Sequence, residues 1–166
     1  MKILFQNKYL LDFLAAIMFF TRIPINWQFF SNKPPNLTRA AWCFPLIGSV
    51  IGIISGILGD ICLFFNLSIF LSCTIAITLS VIITGAFHED GLADMADGFG
   101  AGGSPAKINK IMHDSRLGTY GTVALTLGLL IRLGLVVGLV ELGYSITVIL
   151  AFSFASGKLS IIFIRN

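Results

Sequence analysis

Trp42-Cys-Phe-Pro-Leu-Ile-Gly-Ser-Val-Ile-Gly-Ile-Ile-Ser-Gly-Ile-Leu-Gly-Asp-Ile-Cys-Leu-Phe-Phe65 is apolar almost throughout and carries a single charge, Asp60, near its far end. An α-helix needs about 20 such residues to cross the hydrocarbon core of a bilayer, so this run reads as a transmembrane helix. Gly48, Gly52, Gly56 and Gly59 recur at intervals of four, four and three residues. They fall on one helical face, where small residues let a second helix come close. Asp60 reads as reaching the membrane interface rather than binding anything.

Outward from this helix the pattern repeats. Residues 67–87 form another long apolar run, 119–140 a third and 144–164 a fourth. Towards the amino terminus, Lys2 and Lys8 precede Leu10–Phe20 in the manner of a signal peptide, yet Asp12 interrupts the run and no small-residue cleavage site follows. The segment is expected to be retained. Residues 9–30 read as an interfacial or re-entrant helix or as a further span, because only a short apolar stretch separates Asp12 from Arg22. Phe29 to Arg39, with Asn32, Pro34, Pro35 and Asn36, reads as a polar loop.

Composition agrees with this reading. Of 166 residues 56% are hydrophobic and 11% charged, and the mean hydropathy is +0.92. The fold class is therefore all-α: a polytopic transmembrane helical bundle, one integral membrane domain over residues 1–166, with segment 88–118 as its site loop. The lipid bilayer is the first partner. The formal net charge of +3 is dispersed without a dense basic run, which excludes nucleic acid as a partner. The 3 cysteines, Cys43, Cys62 and Cys73, lie in apolar stretches without a C-x-x-C pair, so neither a disulfide framework nor a zinc site is indicated.

Lys107, Lys110 and Arg116 crowd segment 88–118, whereas the joins near Asp60 to Asn66 and Glu141 to Gly143 have no Lys or Arg. The positive-inside rule places that segment on the cytoplasmic side, together with Lys33, Arg39 and Arg165. Arg132 and Lys158 lie within the third and fourth spans. Charges at that depth are costly and usually face a bundle interior, so each is a candidate for holding an anionic group or an acidic residue.

Four of the 8 acidic residues, Glu89, Asp90, Asp94 and Asp97, fall in Gly85-Ala-Phe-His-Glu-Asp-Gly-Leu-Ala-Asp-Met-Ala-Asp-Gly-Phe-Gly100. Read as a helix at about 100° per residue, Asp90, Asp94 and Asp97 share one stripe. Stacked carboxylates repel, and hard oxygen donors on one face suit a divalent cation, Mg²⁺ in particular, which keeps some waters and bridges substrate phosphates. Glu89 points away from the stripe and His88 nearly opposite it. The competing reading is a solvated acidic, Gly-rich loop. Further on, Ile111-Met-His-Asp-Ser-Arg-Leu-Gly-Thr-Tyr-Gly121 adds the Asp114 carboxylate, the Arg116 fork and the hydroxyls of Ser115, Thr119 and Tyr120. These are parts for handling phosphate. His113, His88 and Glu89 are candidates for an activating base.

His88-Glu-Asp-Gly-Leu-Ala-Asp-Met-Ala-Asp-Gly98 followed by Met112-His-Asp-Ser-Arg-Leu-Gly-Thr-Tyr-Gly121 resembles the signature of the cobalamin synthase family, the adenosylcobinamide-GDP ribazoletransferases. Phe20-Thr-Arg-Ile-Pro24 and Phe44-Pro-Leu-Ile-Gly48 extend the resemblance. It implies a multi-pass enzyme of the bacterial inner membrane, with its active site facing the cytoplasm. There α-ribazole or its 5′-phosphate attacks the phosphate of adenosylcobinamide-GDP and GMP is released, with Mg²⁺ present. By the same resemblance Asp90, Asp94 and Asp97 hold the metal, and Asp114 and Arg116 belong to the second motif; from the residues themselves Asp114, Arg116, His88 and Glu89 are the catalytic candidates, and Arg116, Ser115, Arg22 and Lys158 the substrate-binding candidates. Lys158 stands where family members usually have an Arg, and the chain reads as shortened at its carboxyl end. The alternatives are a cation or proton transporter built on membrane carboxylates, and an inactive fragment of the transferase. A homo-oligomer stays open.

Overall fold

The computed structural model describes residues 7–114 and 116–165, with the backbone alone for Ile164 and Arg165. Ser115, Lys2 and the Arg165 side chain lie outside what is described. Among the described residues the chain is helical: α1 Lys8–Phe20, α2 Leu37–Ala40, α3 Phe44–Phe64, α4 Ile69–Thr84, α5 Phe87–Ala101, α6 Pro105–Met112, α7 Thr119–Glu141 and α8 Ile146–Arg165.

Three stretches are long and apolar enough to cross a membrane: Leu37–Phe64, which includes α2 and α3, Thr119–Glu141 and Ile146–Phe163. Their lipid-facing side chains account for the exposure of Ile53, Ile57, Leu130, Ile131 and Phe152. The glycine stripe of α3 is where α8 packs. A Cβ at Gly48, Gly52 or Gly56 would collide with the α8 backbone at Phe154, Leu150 or Thr147 respectively. Cys73, Ala76, Ile146 and Leu150 fill the space between α4 and α8, and Ile51 belongs to the core that α3 shares with α1 and α2.

Asp60 does more than reach the interface. Its carboxylate accepts hydrogen bonds from Ile146 N at 2.9 Å, Thr147 N at 3.1 Å and Thr147 Oγ1 at 2.6 Å. It therefore caps the α8 amino terminus, satisfying donors that a helix end cannot satisfy itself. Asp12, only 3% exposed, has a comparable duty at the other end of the bundle. It accepts from Arg39 Nε at 2.6 Å and from Trp42 Nε1 at 3.2 Å, tying α1 to the start of the long α2–α3 stretch. With 13 residues, α1 is about 20 Å long. That is shorter than the roughly 30 Å hydrocarbon core.

The second apolar run differs most from its sequence reading. α4 has 16 residues and stops at Thr84. Gly85 (φ 65°) and Ala86 (φ 58°) both take the left-handed conformation. Their amides bond back to the last turn, Gly85 N to Ile82 O at 3.2 Å and Ala86 N to Val81 O at 3.0 Å. The chain then bends by 85° into α5. Segment 88–118, read as a loop, carries helices α5 and α6, joined through Gly102 and Gly103 at positive φ. The glycines that suggested a loop end helices or admit neighbours. A Cβ at Gly100 would strike the Tyr120 ring, and one at Gly98 would strike Met112.

Candidate functional site

α5 lies at the end of the bundle where α4 and α8 finish and α7 begins, and it packs chiefly on α7 and α6. Glu89 and Asp90 occupy its first turn, where the helix dipole favours negative charge. From there the helix distributes its ionisable side chains over several surroundings.

On the outer face, exposed Asp90 and half-buried Asp94 line one depression of about 490 Å³ with His88, Gly91 and Met95. Asp90 also lines a second depression, of about 540 Å³, with Thr21, Arg22, Thr84 and Gly85. The Arg22 side chain lies against Gly85, where any Cβ would collide with it, and Arg22 N donates to Ile83 O at 2.9 Å. The α4–α5 break thus seats a guanidinium beside the first carboxylate of the stripe.

Asp97 is turned elsewhere. It is 8% exposed, and its carboxylate accepts from Gly118 N at 2.7 Å and Gly121 N at 2.9 Å. These amides open α7, which has no side-chain cap of its own. Asp97 supplies that cap from the neighbouring helix. A Cβ at Gly118 or Gly121 would collide with the carboxylate, so the Gly-x-x-Gly spacing leaves room for it. Asp97 lines a separate depression of about 300 Å³ with Asp114, Arg116, Thr119 and Tyr120.

Within that depression Arg116 folds onto Asp114, with Nη2 2.6 Å from Oδ2 and Nε 3.1 Å from each carboxylate oxygen. The Arg116 hydrogen bonds hold the Asp114 carboxyl below the usual carboxylate range, and Asp114 raises the guanidinium in turn. Arg116 is 88% exposed, so its fork is free to turn to a phosphate. Ser115, a substrate-binding candidate, lies outside the described residues. His113 donates through Nδ1 to Asn109 O at 2.8 Å and caps the carboxyl end of α6, lining a depression with Asn109, Lys110 and Asp114.

On the inner face Glu89 Oε1 accepts from Arg132 Nη1 at 2.9 Å, so the acidic partner of the charge in the third span is Glu89. The second oxygen, Oε2, is buried with no hydrogen-bond partner among the described residues. Lys158 is 2% exposed, and its ammonium reaches His88 Nε2 at 3.5 Å. It also sits 5.0 Å from the centroid of the Phe20 ring and 4.9 Å from that of Phe154.

Among the described residues no three His, Cys, Asp or Glu side chains gather as a metal cage. The proposed trio divides because Asp97 caps α7. What remains, two neighbouring carboxylates over an open depression, still fits the usual Mg²⁺ arrangement of one or two carboxylates completed by waters and substrate phosphate oxygens. Sequence reasoning missed the capping roles of Asp97 and Asp60 and the Asp12–Arg39 pair. A signal for the first was present in Gly118-x-x-Gly121 at a helix start that lacks its own Ser, Thr, Asp or Asn cap.

Apolar spans, and a polar end at which acidic, guanidinium and hydroxyl side chains from several helices converge, define a polytopic membrane protein with a charged, open depression at one end. Comparison with known proteins names the family: the chain belongs to the cobalamin-5-phosphate synthases, whose pattern it matches over residues 12–165. Among curated relatives, an adenosylcobinamide-GDP ribazoletransferase of Xanthobacter autotrophicus is 44% identical over 134 residues, covering 78% of this chain and 50% of the relative. A protein of the same name from Clostridium botulinum is 41% identical over 157 residues, 92% of this chain and 60% of the relative. One from Azorhizobium caulinodans is 40% identical over 139 residues, 82% of this chain and 53% of the relative. The chain thus spans about half to three-fifths of the length of these relatives. No solved structure matches it.

Proposed function

We propose that this chain carries the site at which the adenosylcobinamide phosphate group passes from adenosylcobinamide-GDP to α-ribazole or its 5′-phosphate. The acceptor's hydroxyl oxygen bonds to the corrinoid-linked phosphorus, the bond from that phosphorus to GMP breaks, and the hydroxyl proton leaves to a base. The observation that supports this most is the joining of the two motifs by Asp97, whose carboxylate accepts from the Gly118 and Gly121 amides and so holds the end of the second motif against the helix turn after Asp94.

Phosphoryl transfer needs positioning and charge neutralisation more than covalent chemistry from the protein. In this reading Asp90 and Asp94 hold Mg²⁺, which when bound neutralises the diphosphate. Arg116 turns from Asp114 to the GMP phosphate and offers two parallel donors. Arg22, beside Asp90, offers a further guanidinium to the same diphosphate. Asp114 orients the acceptor hydroxyl once Arg116 has left it. His88 and Glu89 stand behind the acids as base candidates, and His88 has the better access because it lines the Asp90–Asp94 depression. In this reading the polar end faces the cytoplasm of the inner membrane, which the distribution of basic residues supports. Membership of a transferase family disfavours the transporter alternative.

The test is GMP release by the purified chain given adenosylcobinamide-GDP and α-ribazole, with and without Mg²⁺. Metal-dependent release coupled to corrinoid product is expected. Release without metal would remove Asp90 and Asp94 from the metal role, and absence of release would restrict the reaction to longer relatives.

A further inference from the structure

Where α1 meets the head of the long α2–α3 stretch, cations and aromatic rings gather outside the site described above. Asp12 accepts from Arg39 Nε through one carboxylate oxygen and from Trp42 Nε1 through the other, so both of its oxygens are taken. A guanidinium has five N–H donors, and among the described residues those on Nη1 and Nη2 of Arg39 have no acceptor. The Arg39 side chain is 50% exposed, whereas Asp12 is buried. The Trp42 ring meets the Tyr9 ring edge-on with centroids 5.9 Å apart, and Lys8 Nζ lies 5.0 Å from the Tyr9 centroid. Both rings are exposed. Two cations, Lys8 and Arg39, against one carboxylate, Asp12, leave the cluster a net charge of +1.

The direction of α1 puts this cluster at a membrane surface. Between Tyr9 and Phe20 the helix rises by about 16 Å, yet its ring and polar contacts with the α2–α3 stretch run only from Arg39 to Phe44. α1 therefore crosses the head of α3 instead of running beside it, which lays a helix too short to span along the bilayer interface. Trp and Tyr concentrate at that level, and Lys and Arg there meet lipid headgroups.

We infer that Arg39, Lys8, Trp42 and Tyr9 form a binding site for the headgroup of an anionic phospholipid. The Arg39 Nη groups offer paired donors to the phosphodiester oxygens, Lys8 adds the second cation, and the two rings border the glycerol and the upper acyl chains. The net charge of +1 in the cluster matches the single negative charge of phosphatidylglycerol and disfavours a zwitterionic headgroup, which brings its own ammonium. A soluble phosphate has no use for the exposed rings, so the lipid is the ligand that the whole cluster fits. The inference goes beyond the transferase reading and does not depend on it.

Trp27 and Trp42 are the only tryptophans of the chain, so Trp27→Phe leaves Trp42 as the sole fluorescent reporter. The full chain is reconstituted in phosphatidylcholine bilayers, and quenching of Trp42 by phosphatidylglycerol with brominated acyl chains is compared with quenching by brominated phosphatidylcholine. A preference for phosphatidylglycerol of roughly fivefold or more is expected, the scale of one cation at an anionic surface. Arg39→Gln is expected to reduce it below about twofold. Lys8→Gln, whose parent side chain rests only on an exposed ring, is expected to lower it by a factor of roughly two, and it decides the matter alone should Arg39→Gln fail to fold. Lys107→Gln removes an exposed cation of α6 and should leave the preference unchanged.

Equal quenching by the two lipids would overturn the assignment. So would a preference retained in both Arg39→Gln and Lys8→Gln, or one lost to the same extent in Lys107→Gln, which would trace it to diffuse surface charge. Displacement of the brominated lipid by millimolar inorganic phosphate would overturn it too, by making a soluble phosphate the ligand.

Discussion

Asp90, Asp94 and Asp97 look interchangeable on a helical wheel, yet their neighbours give them different work. Asp97 has both oxygens on backbone amides and almost no exposure, while Asp90 and Asp94 look out over an open depression. Asp94→Asn removes a charge at nearly constant volume. It is expected to abolish Mg²⁺-dependent GMP release while membrane insertion and thermal midpoint stay at the parent values; an unchanged rate would dismiss the metal role. Asp97→Asn keeps one acceptor oxygen and turns an NH₂ towards the other amide, so one of the two bonds is lost. A destabilisation of about 1–2 kcal/mol follows, read by thermal unfolding in detergent. Gly118→Ala should produce a similar loss because its Cβ displaces the same carboxylate. Mn²⁺ binding followed by electron paramagnetic resonance should weaken in Asp94→Asn and hold in Asp97→Asn; the opposite order would return Asp97 to the metal.

Among the elements, the 85° break between α4 and α5 decides the most. Without it the acids would continue the line of α4 instead of lying along α7 from Arg132 back to Gly118. The break is built from two consecutive left-handed residues, one of them an alanine, a conformation that costs an L-residue about 1–2 kcal/mol. The α3–α8 pair is held differently, by small residues along its length and by a carboxylate at its end. Asp60→Ala strips the acceptor from Ile146 N, Thr147 N and Thr147 Oγ1. A loss of about 1–2 kcal/mol is expected, measured as a lower unfolding midpoint with GMP release per folded molecule unchanged. A midpoint equal to the parent would mean that water caps α8 equally well.

For the whole molecule, the antiparallel order of α3, α4, α7 and α8 sends the α5–α6 segment to one end and the turns after Phe64 and Glu141 to the other. Lys33, Arg39, Lys107, Lys110 and Arg116 flank the first end, and no Lys or Arg flanks the second. In a background lacking the native cysteines, Ala106→Cys should react with an impermeant thiol reagent from the cytoplasmic side alone, and Glu141→Cys from the opposite side alone. Labelling of both from one side would rule out this topology.

The sequence by itself determined that the chain is a helical membrane protein, where its apolar runs lie, and that five of its eight acidic residues gather between His88 and Gly121. Those properties follow from the residues one at a time or from local spacing: hydropathy sums along a segment, glycines four apart share a helix face, and basic residues sort by side. The glycine stripe of α3 even announced a close neighbour, though not that α8 would be it. Tertiary structure alone decided which polar groups meet. Asp97 finds its amides 21 and 24 residues away, Glu89 finds Arg132 at 43, His88 finds Lys158 at 70 and Asp60 finds the α8 amino terminus at 86 and 87. A hydrogen bond depends on placement within a few tenths of an ångström, and that placement comes from how helices distant in the chain pack, which no local pattern encodes.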